Sequence, residues 1–371
     1  MNSLFFYGTL RHVPLLSVVL GRHVEGQAGV FPDHEVMAVR GEIFPMIRSG
    51  GSGANGILVE GLSDEDIARL RFYEGGFDYD LEEVTVTVVA REVVTKVFFS
   101  EPGFWQPDGP WSLSHWQEKH GEWSVLGAVE EMSYFGQRTR SDVDKMLPMI
   151  QARATAKMNA RHDNSAYSPG GMTRADVDSV VMRRPYADYF TLEEFDLSFR
   201  RYDGQKSEMV RRAVFVATDA VIVLPYDPVL DRVLLIEQFR PGPFAREDAT
   251  PWQLEPIAGR IDKAETAQAT ARREAMEEAG LTLNALEDVS QCYASPGCST
   301  EFYHIFLGLA DLPDGIDGVS GLDEEAEDIR SFIFSFDALM ELVDEGRVVN
   351  APLVLAALWL ARHRERLRAA S

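Results

Sequence analysis

Acidic side chains recur at regular spacing in the segment from Gly259 to Leu281, which reads GRIDKAETAQATARREAMEEAGL. On an α-helix, Glu274 and Glu278 lie four positions apart and Glu277 lies three from Glu274, so the carboxylates share one face. Like charges this close destabilise a bare helix and raise one another's pKa. A hard divalent cation removes that conflict, and an all-oxygen cluster suits Mg²⁺ or Mn²⁺. The spacing therefore predicts a magnesium site on this helix.

The residues that flank the helix can complete such a site. Ala258 precedes the tight loop at Gly259, and its backbone carbonyl is placed to add an oxygen ligand. Arg273 can bridge to Glu265 or to Glu277 and hold the carboxylates in position. A solvated acidic helix face is the plainer interpretation, and the spacing disfavours it.

Together these residues resemble the Nudix box. Small Ala275 fills an aliphatic position of the box, which affects packing more than chemistry. A chance match at background residue frequencies is on the order of 10⁻⁶ for a chain of this length. The resemblance implies an α/β/α sandwich that hydrolyses a nucleoside diphosphate linked to another group. The fixed positions of the box are all matched, by Gly259, Glu265, Arg273, Glu274, Glu277, Glu278 and Gly280.

Features outside the box resemble one subgroup, the ADP-ribose pyrophosphatases. Pro296 follows Ser295 and lies sixteen positions after Gly280, where those enzymes have their proline. The pair Arg211–Arg212 and the run Glu237–Arg240 match the same subgroup. The resemblance covers roughly the C-terminal half of the chain and implies hydrolysis of ADP-ribose to AMP and ribose 5-phosphate.

An acidic run, GLDEEAEDIR over residues 321–330, resembles the acidic loop of those enzymes. The resemblance implies that Glu325 is the general base that activates water and that Glu327 holds a further metal ion. Because Glu274 and Glu278 of the box are expected to bind metal, we expect the general base to come from a loop. The choice of Glu325 over Glu324 depends on alignment alone.

Other residues are expected to bind the substrate. The planar guanidinium groups of Arg212 and Arg240 suit phosphate or adenine, and the alternative for each is a surface ion pair. Tyr189 or Phe190 is expected to stack on the adenine. The alternatives for the activity are hydrolysis of a nucleotide sugar or a dinucleotide, and a non-hydrolytic ADP-ribose sensor. The complete glutamate set argues against a sensor, and the resemblance implies a homodimer through this domain.

The start of the chain, LFFYGTLR over residues 4–11, resembles the opening motif of the γ-glutamylcyclotransferase-like (AIG2-like) fold. That resemblance implies a mixed β barrel with helices and places the family's catalytic acid/base at Glu74. A plain tight turn, and a regulatory or ligand-binding role, are the alternatives. The turn expected to bind a carboxylate-bearing ligand through backbone N–H groups consists of Tyr7, Gly8, Thr9 and Leu10.

Composition limits the class of protein. The chain has 371 residues and a net charge of -23, which repels nucleic acid phosphates. An uninterrupted apolar run long enough for a membrane span is missing, and the N-terminus indicates a first strand, not a secretion signal. The two cysteines, Cys292 and Cys298, indicate free thiols in a reducing compartment, the cytoplasm.

The distribution of turn signals predicts two folded domains of α+β and α/β type. We expect a cyclotransferase-like domain over 1–110, a helical extension and linker over 111–172, and a Nudix domain over 173–371. The predicted elements include a strand at Gly41–Ile47, a helix that Ser63 caps, and a helix over Glu265–Ala279 that Gly280 ends.

Overall fold

The computed structural model describes residues 2–75, 79–101, 103–162, 167–263, 265–316, 318–320 and 328–370. The chain divides into two compact units, Met1–Ser165 and Ala166–Ser371. Among the helices described, none combines the length and the apolar character needed to cross a membrane.

Strands and helices alternate in the first half of the first unit, and helices alone close it. Its strands are β1 (Asn2–Phe6), β2 (Gln27–Phe31), β3 (His34–Val39), β4 (Pro45–Ser49), β5 (Ala54–Leu62), β6 (Tyr79–Val88), β7 (Arg91–Ser100) and β8 (Pro107–Pro110). Its helices are α1 (Val13–Leu20), α2 (Asp64–Glu74), α3 (Leu113–Trp116), α4 (Glu122–Met132) and α5 (Arg140–His162).

Five strands of this unit close into a barrel in the order β1-β5-β2-β6-β7, which confirms the predicted mixed β barrel with helices. Side chains alternate along β1, as the period of a strand requires. Phe5 packs in the barrel interior, whereas Leu4 and Phe6 pack outward against α1, α2 and α4. The other three strands of this unit form a separate sheet in the order β4-β3-β8.

The helices after residue 110 belong to the same compact unit. Trp116, Ala128 and Met132 are buried in the cluster that also contains Leu4 and Leu70 of the barrel side. A buried ion pair, Arg153–Glu130 at 2.7 Å, joins α4 to α5. The cyclotransferase-like core and its helical extension therefore share one hydrophobic core.

The second unit carries strands β9 (Val177–Ala187), β10 (Thr191–Phe199), β11 (Val210–Val216), β12 (Asp219–Asp227), β13 (Arg232–Phe239), β14 (Trp252–Glu255), β15 (Ile257–Arg260), β16 (Ala285–Tyr293), β17 (Phe302–Leu309), β18 (Val319–Ser320) and β19 (Ile329–Ser335). Its helices are α6 (Pro241–Ala245), α7 (Ala267–Ala279), α8 (Phe336–Asp344) and α9 (Ala351–Ala369).

A mixed sheet in the order β16-β17-β12-β13-β19-β18 forms the centre of this unit, and β14 and β15 pair with β13 and β12. Val221 and Val223 of β12 face the cluster that contains Ala271 and Ala275 of α7. Ile222 and Leu224, which alternate with them along the strand, face the cluster that contains residues of α8 and α9. Helices therefore cover both faces, and the predicted α/β/α sandwich is confirmed.

Two local predictions need correction. The strand expected at Gly41–Ile47 begins only at Pro45, because Gly41 adopts a left-handed conformation with φ of 79° in the turn after β3. The helix expected from Glu265 begins at Ala267, since Thr266 is its N-cap.

Candidate active sites

Helix α7 lies close to the central sheet because its inward residues are small. Ala271 and Ala275 are fully buried, so the small residue in the aliphatic position of the box serves close packing. The Thr266 side chain accepts a hydrogen bond from the Ala269 N–H at 3.2 Å, and Gly280 ends the helix with φ of 61°. Glu274 and Glu278 lie beside this small-residue stripe and reach β15.

Arg273 connects these carboxylates. Its guanidinium donates to Glu274 at 2.7 Å, to Glu277 at 2.9 Å and to both oxygens of Glu265 at 3.1 and 3.0 Å. The predicted bridge is therefore confirmed for Glu265 and for Glu277. A further hydrogen bond from Arg273 to the Arg260 carbonyl, at 3.3 Å, ties the helix to β15.

This arrangement favours the charged forms of Arg273 and Glu265. Burial lowers the pKa of Arg273, but hydrogen bonds and charge from Glu265, Glu274 and Glu277 outweigh burial and leave the Arg273 pKa raised. The hydrogen bond from Arg273 in turn lowers the pKa of Glu265, although partial burial opposes that effect. The guanidinium thus remains protonated and Glu265 remains ionised at neutral pH.

Two backbone positions hold the glutamates against β15. Glu278 is 3% exposed, and its Oε2 accepts from the Ala258 N–H at 3.2 Å. Since the N–H and C=O of one strand residue point to the same side, we expect the Ala258 carbonyl to face this helix as well. A Cβ on Gly259 would lie 1.9 Å from Oε1 of Glu274, so only glycine leaves room for that carboxylate.

These residues fit a divalent cation by their chemistry, since three carboxylates and a backbone carbonyl form an all-oxygen donor set. Among the residues that the structure describes, no three acidic, histidine or cysteine side chains already converge as a metal cluster. Instead, Arg273 and the Ala258 N–H engage the carboxylates. The assignment of Ala258, Glu274, Glu277 and Glu278 as metal ligands stays a prediction.

Aromatic side chains lie next to this cluster. Arg260 directly follows Gly259, and it donates to the Tyr189 hydroxyl at 3.3 Å. Tyr189 packs edge-on against Phe190 with ring centroids 4.8 Å apart, and Phe190 contacts Phe215 at 4.7 Å. The structure therefore brings Tyr189 and Phe190 to the box, with both rings partly exposed.

The loop of Ser295 and Pro296 is joined to the same aromatic group. The Phe215 N–H donates to the Cys298 carbonyl at 2.8 Å, and the Cys298 N–H donates to the Ser295 carbonyl at 3.1 Å. This chain of bonds connects the loop to Phe215 and hence to Phe190. Ser295 is therefore linked to Phe190 through Cys298 and Phe215, without a direct contact among the described bonds.

The two arginines expected to bind substrate have different surroundings. Arg212 is exposed on β11 and donates to the Arg211 carbonyl at 2.8 Å. Arg240 forms a two-pronged bond with Glu255, which is 4% exposed, at 2.9 and 2.8 Å. The guanidinium of Arg240 is thus oriented by a buried acid, and the binding roles of both arginines stay predictions.

The acidic loop lies outside the part of the chain that the structure describes. Glu325 and Glu327 both fall within residues 321–327, so their predicted roles as base and metal ligand remain expectations from the sequence.

In the first unit, the Tyr7–Leu10 turn follows β1. Tyr7 is buried in the barrel core and Leu10 in the outer cluster, and Thr9–Arg11 forms one turn of 3₁₀ helix. A Cβ on Gly8 would lie 3.1 Å from Pro45. In the described structure, Nε of Arg11 is buried without a hydrogen-bond partner, and burial lowers the Arg11 pKa. Binding by this turn stays a prediction.

Glu74 is the last residue of α2 and has an unusual protonation equilibrium. Burial and, to a lesser extent, the charge of Glu131 raise the pKa of Glu74, Arg140 opposes both, and the balance is a pKa of about 7. A carboxyl group with this pKa can accept and donate a proton at neutral pH. The geometry therefore suits acid/base chemistry at Glu74.

Sequence reasoning missed several neighbours of both sites. Arg260 and Phe215 contact the predicted aromatic residues, and the adjacency of Arg260 to Gly259 was the available signal. Arg140 contacts the end of α2 from a helix far along the chain, and Glu131 of another helix pairs with Arg140. No local pattern in the sequence indicates that contact.

Family comparisons agree with this geometry. The NUDIX domain family matches residues 216–356, and the family described as Gamma-glutamyl cyclotransferase, AIG2-like matches residues 4–125. The chain is 38% identical over 193 residues to the ADP-ribose pyrophosphatase of Escherichia coli strain K12, with 52% of this chain and 91% of that protein covered. The chain therefore belongs to the Nudix hydrolase family, with an AIG2-like domain in its first unit.

Within that family, the similar proteins are pyrophosphatases. The ADP-ribose pyrophosphatase of Haemophilus influenzae is 32% identical over 190 residues, covering 51% of this chain and 87% of that protein. The GDP-mannose pyrophosphatase of Cronobacter sakazakii is 33% identical over 170 residues, covering 45% and 86%. The particular relatives thus place the second unit among Nudix enzymes of the ADP-ribose diphosphatase type.

Proposed function

We propose that the second unit hydrolyses the diphosphate bond of ADP-ribose to give AMP and ribose 5-phosphate, with Mg²⁺ as its cofactor. The observation that carries this proposal is the intact acid face of α7, seated against Gly259 and cross-linked by Arg273. The similarity of the second unit to two ADP-ribose pyrophosphatases supports ADP-ribose as the substrate. A cytoplasmic location is part of the same proposal.

The box residues would hold the metal. Glu274, Glu277 and Glu278 supply carboxylates, and Ala258 supplies a carbonyl. A bound divalent cation polarises the diphosphate and offsets its negative charge. Glu325 of the acidic loop takes the proton from the attacking water, and Glu327 is available to a further cation.

Other groups hold and orient the substrate. The exposed faces of Tyr189 and Phe190 receive the adenine, since a flat aromatic surface stacks on any base. Ser295 and Pro296 shape the neighbouring loop, and Arg260 holds the Tyr189 hydroxyl. Arg212 and Arg240 bind phosphate through their planar guanidinium groups.

Purified full-length protein should convert ADP-ribose to AMP and ribose 5-phosphate when Mg²⁺ is supplied. The Glu278→Gln variant should lose about 10²–10³-fold in kcat, because a neutral amide is a poor metal ligand and a weaker acceptor for the Ala258 N–H than a carboxylate. Glu341→Gln, an exposed change on α8, is the matched control and should keep full activity.

Other results would redirect the proposal. Turnover of GDP-mannose or a dinucleotide, but not of ADP-ribose, keeps the diphosphate chemistry and overturns the substrate. Tight binding of ADP-ribose without any hydrolysis, in Mg²⁺ or Mn²⁺, replaces the enzyme with a sensor.

We also propose that the second unit forms a homodimer. The outer sheet of β9, β10 and β11 exposes large apolar side chains, among them Val181 at 53% and Tyr186 at 57%. A Val181→Arg variant should shift the mass measured by sedimentation equilibrium from dimer to monomer. Val229→Arg, at an exposed turn between β12 and β13, is the control. A wild-type monomer would refute the dimer.

A second activity is favoured by the place of Glu74 at the end of α2, which Arg140 contacts and beside which Glu131 pairs with Arg140; burial there raises the pKa of Glu74. We propose that Glu74 transfers a proton while a γ-glutamyl amine cyclises. The α-amino nitrogen attacks the γ-carbonyl carbon, the amide C–N bond breaks, and the proton passes through Glu74 to the leaving amine. The unpaired Nε of Arg11 beside the Tyr7–Leu10 turn suits the carboxylate of such a ligand. Release of 5-oxoproline, lost in Glu74→Gln, is the test.

A further inference from the structure

The C-terminal end of α2 is held by a side chain from a distant helix. Arg140 of α5 donates to the Phe72 carbonyl at 3.0 Å and to the Tyr73 carbonyl at 3.5 Å. These are carbonyls of the last helical turn, which lack partners within the helix. Its guanidinium also lies 5.8 Å from the centre of the Phe72 ring. A cation therefore sits directly beside Glu74, the residue that ends α2.

Two acids share this one guanidinium. Arg140 forms a close ion pair with Glu131 of α4, and its Nε donates to Asp144 of α5 at 2.8 Å. The side chains of Arg140 and Glu131 are only 15% and 10% exposed. With Glu74 included, three carboxyl groups surround one positive charge in a largely buried place. Full ionisation of all three would leave an uncompensated excess of negative charge.

The hydrogen bonds of Arg140 treat the acids and α2 differently. Glu131 and Asp144 each accept directly from Arg140. Burial raises the pKa of Glu131, and the charge of Arg140 and its hydrogen bond oppose that effect only in part. The bonds from Arg140 to α2 go to the backbone carbonyls before Glu74. The charged and titratable groups that face Glu74 among the described residues are Tyr73 of α2, Glu131 of α4 and Arg140 of α5, with Asp144 behind them.

We propose that Glu131 and Arg140 are positioning residues that fix the end of α2 and set the pH at which Glu74 exchanges its proton. Both residues follow residue 125, where the match to the AIG2-like family ends. The helical extension of this chain therefore supplies the electrostatic control of an acid that the barrel domain carries. This inference rests on the proposed acid/base role of Glu74.

The titration midpoint of Glu74 can be read without turnover. Full-length protein labelled with ¹³C at the glutamate carboxyl carbon gives that midpoint by NMR, and the spectrum of Glu74→Gln identifies the signal. Arg140→Gln should raise the midpoint by about one pH unit or more, because a nearby cation is lost. Glu131→Gln should lower it by about the same amount, because a nearby anion is lost. Lys145→Gln, an exposed cation on α5, is the matched control and should leave it unchanged.

The opposite signs separate electrostatic control from loosening of the fold. A variant that merely exposes Glu74 to water lowers its midpoint toward that of an ordinary glutamate, whichever residue is changed. A shift in the same direction for both variants, or no shift in either, overturns the proposal. Arg140→Lys keeps the charge and should hold the midpoint near the wild-type value, which covers the case in which Arg140→Gln fails to fold. Opposite shifts without any 5-oxoproline production overturn the cyclotransferase proposal and leave this inference standing.

Discussion

Each unit of the molecule gathers several glutamates around one arginine, yet the two clusters hold their protons differently. In the Nudix box, Arg273 donates to Glu274 and Glu277 of α7 and to Glu265 in the turn before it, and its hydrogen bond lowers the pKa of Glu265. In the barrel unit, Arg140 pairs with Glu131 in a buried place, and burial raises the pKa of neighbouring Glu74 to about 7.

The two clusters share the same residue types, glutamate and arginine. The position of the guanidinium and the degree of burial therefore decide whether an acid in the cluster is ionised or holds a proton. Arg273 lies among its acids and its side chain is 30% exposed, so Glu265 stays ionised and the cluster suits a cation. Arg140 is instead bonded to Glu131, Asp144 and two backbone carbonyls. Burial and the charge of Glu131 together raise the pKa of Glu74 to about 7, which suits proton transfer at neutral pH.

The largest effect is expected at Gly259 of the Nudix box, where there is no room for a side chain. In Gly259→Ala the added Cβ would lie 1.9 Å from Oε1 of Glu274, so that carboxylate must leave its place. We expect kcat for diphosphate hydrolysis to fall about 10²–10³-fold and half-activation to need more Mg²⁺. Gly242→Ala is the control, since nothing lies within 4 Å of its added Cβ. Unchanged kinetics in Gly259→Ala would show that Glu274 has no part in the reaction.

The next largest effect is a pH dependence of the stability of the first unit, which Glu74 causes. The pKa of Glu74 is raised from 4.5 in the ordinary state to about 7 in the folded unit. Between these values the folded form keeps a proton that the unfolded chain has lost, so stability falls as the pH rises. Glu74→Gln should therefore stabilise the first unit at pH 8 by on the order of 2–3 kcal/mol, and little at pH 5.

Calorimetry of the full chain at both pH values measures this difference. Glu82→Gln, on exposed β6, should give the same stability change at pH 5 and at pH 8 and is the control. A Glu74→Gln variant that is destabilised equally at both pH values would show that Glu74 is ionised in the folded protein.

A smaller kinetic effect is expected from Arg273→Lys. Lysine keeps the positive charge but lacks the planar fork that reaches Glu265, Glu274 and Glu277 together. Diphosphate hydrolysis should fall about 10–100-fold, the usual cost of removing a group that orients metal ligands. Arg362→Lys, an exposed change on α9, is the control. Wild-type kinetics in Arg273→Lys would mean that charge alone organises the box.

The sequence predicted the box cluster better than the barrel cluster because its contacts are local. Glu265, Arg273 and Glu277 lie within one helix and the turn before it, so helical spacing alone places them together. The residues around Glu74 come from three helices. Helix α4 packs on the barrel side, α5 is joined to α4 by the Arg153–Glu130 ion pair, and Arg140 of α5 reaches Phe72. Strands β9 and β10 also went unpredicted, since both faces of that sheet carry mixed polar and apolar residues that give no clean alternation.

The smallest effect compares the N-caps of the two helices that carry these acids. Ser63 and Asp66 cap α2 reciprocally, with bonds of 3.1 and 2.8 Å between each side chain and the other's N–H. Thr266 caps α7 by a single bond of 3.2 Å to the Ala269 N–H. Ser63→Ala should cost about 1–2 kcal/mol and Thr266→Ala about 0.5–1 kcal/mol, in the calorimetric transition of each unit.

The functional readouts of these two variants sharpen the comparison between the clusters. Thr266→Ala should reduce diphosphate hydrolysis a few-fold, because α7 must hold its glutamates in a fixed geometry for metal. Ser63→Ala should leave the titration midpoint of Glu74 unchanged, because the other end of α2 is fixed independently by Arg140. Ser63→Thr and Thr266→Ser keep the capping hydroxyl and serve as controls. A midpoint that moves in Ser63→Ala would mean that the whole of α2, and not the Arg140 contact alone, places Glu74, and the two clusters would then differ less than their geometry indicates.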